Sequence, residues 1–187
     1  MPILPAEPDV YPADLLSGPA KEPAGGGPRW WVLHVKPRQE KALARYLRKW
    51  RIGYFLPCYA KPSRIRRRVT MSWPPLFPGY VFLWGQAADR LAALTTNRVV
   101  NALEVKDQQR LDHDLRQLYR LLRLGLPVTP EQKLGPGDEV QIRTGPLAGL
   151  TGTILRTTTG QRFVVKVNFL QQGASVEVEA ADVLPST

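Results

Sequence analysis

Cysteine is almost missing from this chain. Cys58 stands alone among 187 residues. No internal disulfide is possible, and a cysteine-rich zinc cluster is excluded. Histidine is scarce too. His34 and His113 fall in different expected elements, and neither has a cysteine or carboxylate nearby at metal-ligand spacing. No apolar run approaches the ~18 to 20 residues that span a bilayer. The N-terminus lacks the charged-then-apolar pattern of a secretory signal. Gly25-Gly26-Gly27 has no following lysine and helix, so it is not a phosphate-binding loop. Asp107, Asp112 and Asp114 fit the solvated face of a helix, and Cys58 fits a small buried hydrophobe better than a nucleophile. These absences argue against an enzyme, a cofactor, a metal site and a membrane protein. They favour a cytoplasmic protein; a monomeric binding protein is the separate expectation.

Positive charge is abundant and localised. Residues 1–28 carry a net charge of −3 and residues 71–187 a net of +1. Residues 29–70 hold 13 Lys or Arg against the lone Glu40, a net of +12. A basic field that concentrated favours a polyanion such as nucleic acid over a merely solubilising surface.

Residues 1–28 contain seven prolines and little apolar periodicity, which predicts a disordered tail. Trp30 to Val35 predicts a strand. A helix follows, with Pro37 in its first turn, Leu43, Leu47 and Trp50 along one buried stripe, and Gly53 as its stop. Tyr54–Tyr59 predicts a strand, and Lys61–Val69 a basic loop or hairpin arm. Tyr80–Trp84 predicts a central strand, Ala87–Leu94 a short helix, and Val99–Val105 a further strand. In Asp107–Leu124, Leu111, Leu115, Leu118 and Leu122 line one helical face. The order predicts an α+β domain over 29–125, an antiparallel sheet with packed helices.

Residues 126–134 predict a linker with Pro127 and Pro130. From Gly135 no helical period remains. Short runs at Glu139–Ile142, Thr153–Thr157, Arg162–Phe169 and Ser175–Glu179, separated by glycine-containing turns, predict a small all-β barrel over 135–187. Its valine and threonine content disfavours a helical alternative.

Two segments carry a resemblance. Pro75-Leu76-Phe77-Pro78-Gly79-Tyr80-Val81-Phe82, with Trp30-Trp31-Val32 and Pro37-Arg38-Gln39-Glu40 upstream, resembles the N-terminal (NGN) domain of NusG-family transcription factors. Gly135-Pro136-Gly137-Asp138-Glu139-Val140, followed by Gly145-Pro146-Leu147-Ala148-Gly149-Leu150-Thr151-Gly152-Thr153-Ile154, resembles the KOW motif of the same family. The resemblance covers about residues 30–185. It implies an elongation or antitermination factor that docks on the clamp helices of the RNA polymerase largest subunit.

The site residues implied on the first domain are Trp30, His34, Phe77, Tyr80 and Phe82. Tyr80 and Phe82 share one face of their strand while Val81 and Leu83 share the other, so both faces are apolar. One face is expected to be covered by helices and the other left open to a partner. Ordinary core packing is the competing reading. The family holds the basic arm near upstream or non-template DNA, which nominates Arg38, Lys61, Arg64, Arg66, Arg67 and Arg68 for phosphate contact. A solvated loop is the alternative there. The KOW domain is implied to recruit a ribosomal protein or the termination factor Rho, with Phe169 and Leu170 at the contact. The sequence has Phe169-Leu170-Gln171 where general NusG proteins have Phe-Gly-Arg, which suggests a specialised, RfaH-like paralogue. The polar His-Thr-Thr loop of that branch is absent. A KOW-containing ribosome- or RNA-binding protein and a Rho-assisting termination factor stay open as alternatives.

Overall fold

The computed structural model describes residues 7–20, 25–65, 68–133, 135–178 and 183–185. The chain divides into two units, Met1–Gln109 and Arg110–Thr187. This boundary falls earlier than the sequence places it, inside the helix expected to close the first domain.

The first unit is built on a five-stranded antiparallel sheet. In chain order its strands are β1 (Val10–Tyr11), β2 (Arg29–Val35), β3 (Gly53–Phe55), β6 (Tyr80–Gly85) and β7 (Val99–Glu104). Their spatial order is β1-β3-β6-β2-β7. Between β3 and β6 the chain makes a separate two-stranded ribbon, β4 (Lys61–Ile65) and β5 (Arg68–Ser72). The alternating apolar residues of β2 and β6 send Trp31, Leu33, Val35, Val81 and Leu83 to one face. There they share a core with Leu43, Ala44 and Leu47 of helix α1 (Glu40–Lys49) and Ala93 of helix α2 (Ala87–Thr95).

Local signals set the helix ends. Glu40 lies in the first turn of α1, with Arg48 and Lys49 in the last, each matching the sign of the helix dipole. Arg51, not Gly53, takes the left-handed conformation that ends the helix (φ 57°), and the Ile52 amide donates to the Leu47 carbonyl at 2.9 Å. Trp50 therefore falls just past the helix and outside the buried stripe that its spacing suggested; it is 61% exposed. In α2 the Asp89 carboxylate accepts from the Gln86 amide at 2.7 Å, which caps the first turn.

The proline-rich N-terminal segment is ordered where it is described. Val10 pairs with Phe55 and Tyr11 with Tyr54 along the edge of β3. The Leu56 amide donates to the Asp9 carbonyl at 2.6 Å, the Tyr54 hydroxyl to the Pro8 carbonyl at 2.9 Å, and Leu15 and Leu16 are buried. The disorder expected over 1–28 thus does not hold for 7–20. Two backbone pairs, these bonds and a few buried side chains offset the ordering entropy that the composition alone left uncovered.

The second unit takes most of helix α3 (Gln108–Arg123), whose first two residues belong to the first unit. Leu111, Leu115, Leu118 and Leu121 are its buried leucines, with Leu121 in place of the expected Leu122. Six strands follow: β8 (Thr129–Glu131), β9 (Asp138–Ile142), β10 (Thr151–Thr157), β11 (Gly160–Val167), β12 (Gln172–Val178) and β13 (Val183–Pro185). They pair antiparallel in the order β13-β9-β10-β11-β12-β8. The barrel expected from the sequence is not formed. The sheet stays open, with β13 and β8 as opposite edges that do not pair with each other. Each edge strand has only three residues, and Pro130 in β8 has no amide to donate, so little ladder is available for closure. β8 also occupies part of the stretch expected to be linker. Gly152 is fixed by close packing, because a Cβ there would collide with the Val164 carbonyl and the Phe163 ring.

Candidate docking and nucleic-acid interfaces

The turn that opens β6 is held from three sides. The Gly79 amide donates to the buried Glu40 carboxylate at 2.8 Å, and the Gly79 carbonyl accepts from the Val35 amide at 2.8 Å. The Leu76 amide donates to the Pro57 carbonyl at 2.7 Å, beside a Cys58–Pro75 bridge. Gly79 sits at φ 84°, a conformation that costs a side-chain-bearing residue energy. The turn is therefore a rigid feature, tied to α1, β2 and the chain after β3.

Five aromatic or imidazole rings were nominated around this turn, and the structure separates them. Trp30 (1% exposed), Phe77 (1%) and Phe82 (0%) are sealed inside the protein. Trp30 packs edge-on against Trp84 at 5.2 Å, and Phe82 contacts Phe55 and Phe77 at 6.4 and 6.2 Å. The Gln108 side chain also clamps Trp30, accepting from its amide at 2.7 Å and donating to its carbonyl at 2.9 Å. The open ring-bearing face expected from the sequence is thus corrected: alternation shows that a face is apolar, not that it is uncovered. His34 is exposed and Tyr80 half-buried. They are direct cross-strand partners whose rings stack at 5.4 Å. Beside them lies an open groove of about 780 Å³, lined by His34, Pro37, Arg38, Pro75, Pro78 and Val100 among others. Pro37, Pro75 and Val100 were not nominated as contact residues from the sequence. Their signal is spatial, since β2, the α1 entry and β7 meet there.

The basic arm is the β4–β5 ribbon. Arg64 pairs with Val69 and Ile65 with Arg68, while Lys61 faces Ser72. Lys61, Arg64 and Arg68 are exposed, as is Arg38 at the entry to α1. Arg66 and Arg67 lie outside the described residues. Val69 and Met71 are exposed on the same ribbon.

In the second unit, Phe169 is 38% exposed and Leu170 half-buried, both in the turn between β11 and β12. The turn is anchored by Asp114, whose Oδ2 accepts from the Asn168 backbone and side-chain amides, each at 2.9 Å. Asp114 also pairs with Arg110, and Asp112 with Arg116 at 2.6 Å. Both aspartates are buried, contrary to the solvated face the sequence suggested. Their (i, i+4) arginines and the Asn168 amides supply the charge-assisted bonds that burial requires.

Burial raises the Cys58 thiol to about 12, so it is protonated at neutral pH. Among the described residues no group of three or more His, Cys, Asp or Glu is placed to hold a metal ion. No helix is long and apolar enough to cross a membrane, again among the described residues.

Residues 28–114 match the family model described as NusG, transcription termination factor nusG. A comparison with curated proteins found no match. The match spans rather less than half of the chain, and it is that segment alone that is similar to the family.

Proposed function

From the similarity of residues 28–114 to the NusG family, we propose that the protein is a transcription elongation or antitermination factor that docks on RNA polymerase. The docking surface is the groove beside the Phe77–Tyr80 turn, with the stacked His34 and Tyr80 rings at its rim. Its occupant is the paired clamp helices of the polymerase largest subunit. The single observation that carries this reading is the pinned turn. It holds an accessible aromatic–imidazole pair against an open, proline-lined groove, and rigid rings bind at little entropic cost. Trp30, Phe77 and Phe82 support that rim from inside and do not themselves touch the partner.

Arg38, Lys61, Arg64 and Arg68 lie along exposed surface and contact the phosphates of upstream or non-template DNA, with Arg66 and Arg67 assigned to the same role by sequence alone. The second unit acts as the KOW module and recruits a ribosomal protein or Rho through the Phe169–Leu170 turn. The action on transcription is a shift of population: a factor that binds the closed, active polymerase better than the paused form favours elongation.

Co-purification of polymerase with the full chain tests this. Tyr80→Ala is expected to weaken association about tenfold or more while leaving the melting curve native-like, as loss of an aromatic anchor does. A folded Tyr80→Ala protein that binds polymerase undiminished refutes the docking surface.

A further inference from the structure

Helix α1 carries Lys41, Arg45 and Arg48 at i, i+4 and i+7, a spacing that puts all three on one helical face. The acidic N-terminal segment reaches that face. The Glu7 carboxylate pairs with the Arg45 guanidinium at 2.9 Å. Two residues on, Asp9 is fixed by its own carbonyl, which accepts from the Leu56 amide. Burial raises the pKa of the Tyr54 hydroxyl; Arg48 lowers it, and Asp9 and Glu7 raise it further. Behind the larger effect of burial, Lys41 lowers the Cys58 thiol while Asp9 and Glu7 raise it. Arm carboxylates and helix cations therefore act over the same two groups. The arm is anchored there, since Val10 and Tyr11 pair with β3, and Leu15 and Leu16 are buried.

We propose that the N-terminal arm is an internal mask on α1, with its carboxylates standing in for the phosphates of a polyanion and holding down the affinity of the basic block. The inference rests on the reading that residues 29–70 contact DNA phosphates, and it names the regulation of that contact. Charge complementarity supports it: residues 1–28 carry a net of −3 and residues 29–70 a net of +12. An exposed ion pair such as Glu7–Arg45 adds little to folding stability, so its main effect is on the local field. The anchored arm makes the counter-charge intramolecular, and a tethered carboxylate competes at a high effective concentration. A phosphate approaching Arg45 must displace Glu7 first. Neutralising the arm, or drawing it away, uncovers the basic stripe.

The test is equilibrium binding of the full chain to a short labelled DNA duplex, followed by anisotropy across a range of salt. Glu7→Gln is expected to bind about threefold tighter at low salt, with a salt slope steeper by about one unit, because one cation is freed. Arg45→Ala added to Glu7→Gln is expected to remove that extra unit of slope. Asp14→Asn removes the same charge from an exposed position of the arm and is expected to change binding far less. The melting curve of Glu7→Gln is expected to match the parent. The mask is overturned if Glu7→Gln binds the duplex no tighter than the parent does. It is also overturned if Asp14→Asn tightens binding equally, which would make the effect one of net charge alone. If neither the parent nor any variant binds the duplex, the phosphate-contact reading falls together with the mask.

Discussion

The carboxylate of Glu40 accepts the amide hydrogen of Gly79 across 39 residues of sequence at 2.8 Å, and so ties the start of α1 to the turn that opens β6. The carboxylate is buried, and the amide it satisfies belongs to a backbone that already takes a left-handed conformation. Removing the acceptor leaves the Gly79 amide unpaired in a part-buried site. Glu40→Ala is expected to destabilise the protein by about 1–3 kcal/mol in urea unfolding. Glu40→Gln keeps a side-chain oxygen in reach and is expected to lose less than half as much. Equal losses in the two variants would mean that the charge, not the hydrogen bond, holds the turn.

Leu15 makes the N-terminal arm a structural part of the first unit. It is completely buried, five residues from the Val10–Phe55 pair that starts the arm along β3. Leu15→Ala is expected to cost about 2–5 kcal/mol, the usual range for truncating a buried leucine. Chemical denaturation of the full chain reads this directly. A cost near zero would show that the arm rests on the sheet without contributing to its stability.

That arm also marks where sequence reasoning stops. The strands Trp30–Val35 and Tyr80–Trp84 were legible because apolar residues alternate or cluster there, and α1 because Leu43 and Leu47 share a stripe. Val10–Tyr11 was not, because a two-residue edge strand has no period and its partner, Tyr54–Phe55, lies over 40 residues away. The face of Trp30 and Phe82 was read correctly as apolar, yet its cover is a tertiary property that no single strand encodes. Asp112 and Asp114 looked solvated because charge suggests exposure. The signal that they were paired was the arginine four residues from each, Arg116 and Arg110. Sheet closure was misjudged in the second unit because it depends on edge strands too short to register. Of the candidate site, the turn and the basic arm were visible in sequence. The exposure of Trp50 was hidden by a helical spacing that runs one residue past the helix.

Cys58 predicts a pH dependence with a definite sign. Burial raises its thiol from an ordinary value near 9 to about 12 in the folded protein. Below the unfolded value both states keep the proton, and the contribution to stability is fully present. Between about 9 and 12 the unfolded chain releases the proton while the folded chain keeps it, so stability falls as pH rises. The expected slope from this group approaches about 1.4 kcal/mol per pH unit across that window. Cys58→Ala is expected to flatten the alkaline limb of the stability curve. The parent thiol should also react slowly with iodoacetamide at pH 8 unless the protein is unfolded. Prompt alkylation of the native protein would contradict the raised value.

Thr153 yields a stabilising substitution. Its hydroxyl is buried in β10 without a hydrogen-bond partner among the described residues. A buried hydroxyl left unpaired has given up its bond to water and gained nothing in exchange. Thr153→Val replaces that hydroxyl with a methyl of similar volume and keeps the branched side chain that strands favour. The substitution is expected to raise stability by roughly 1–2 kcal/mol, read as a higher melting temperature of the full chain. If Thr153→Val instead lowers it by a comparable amount, the hydroxyl is bonded in solution, with an ordered water as its partner.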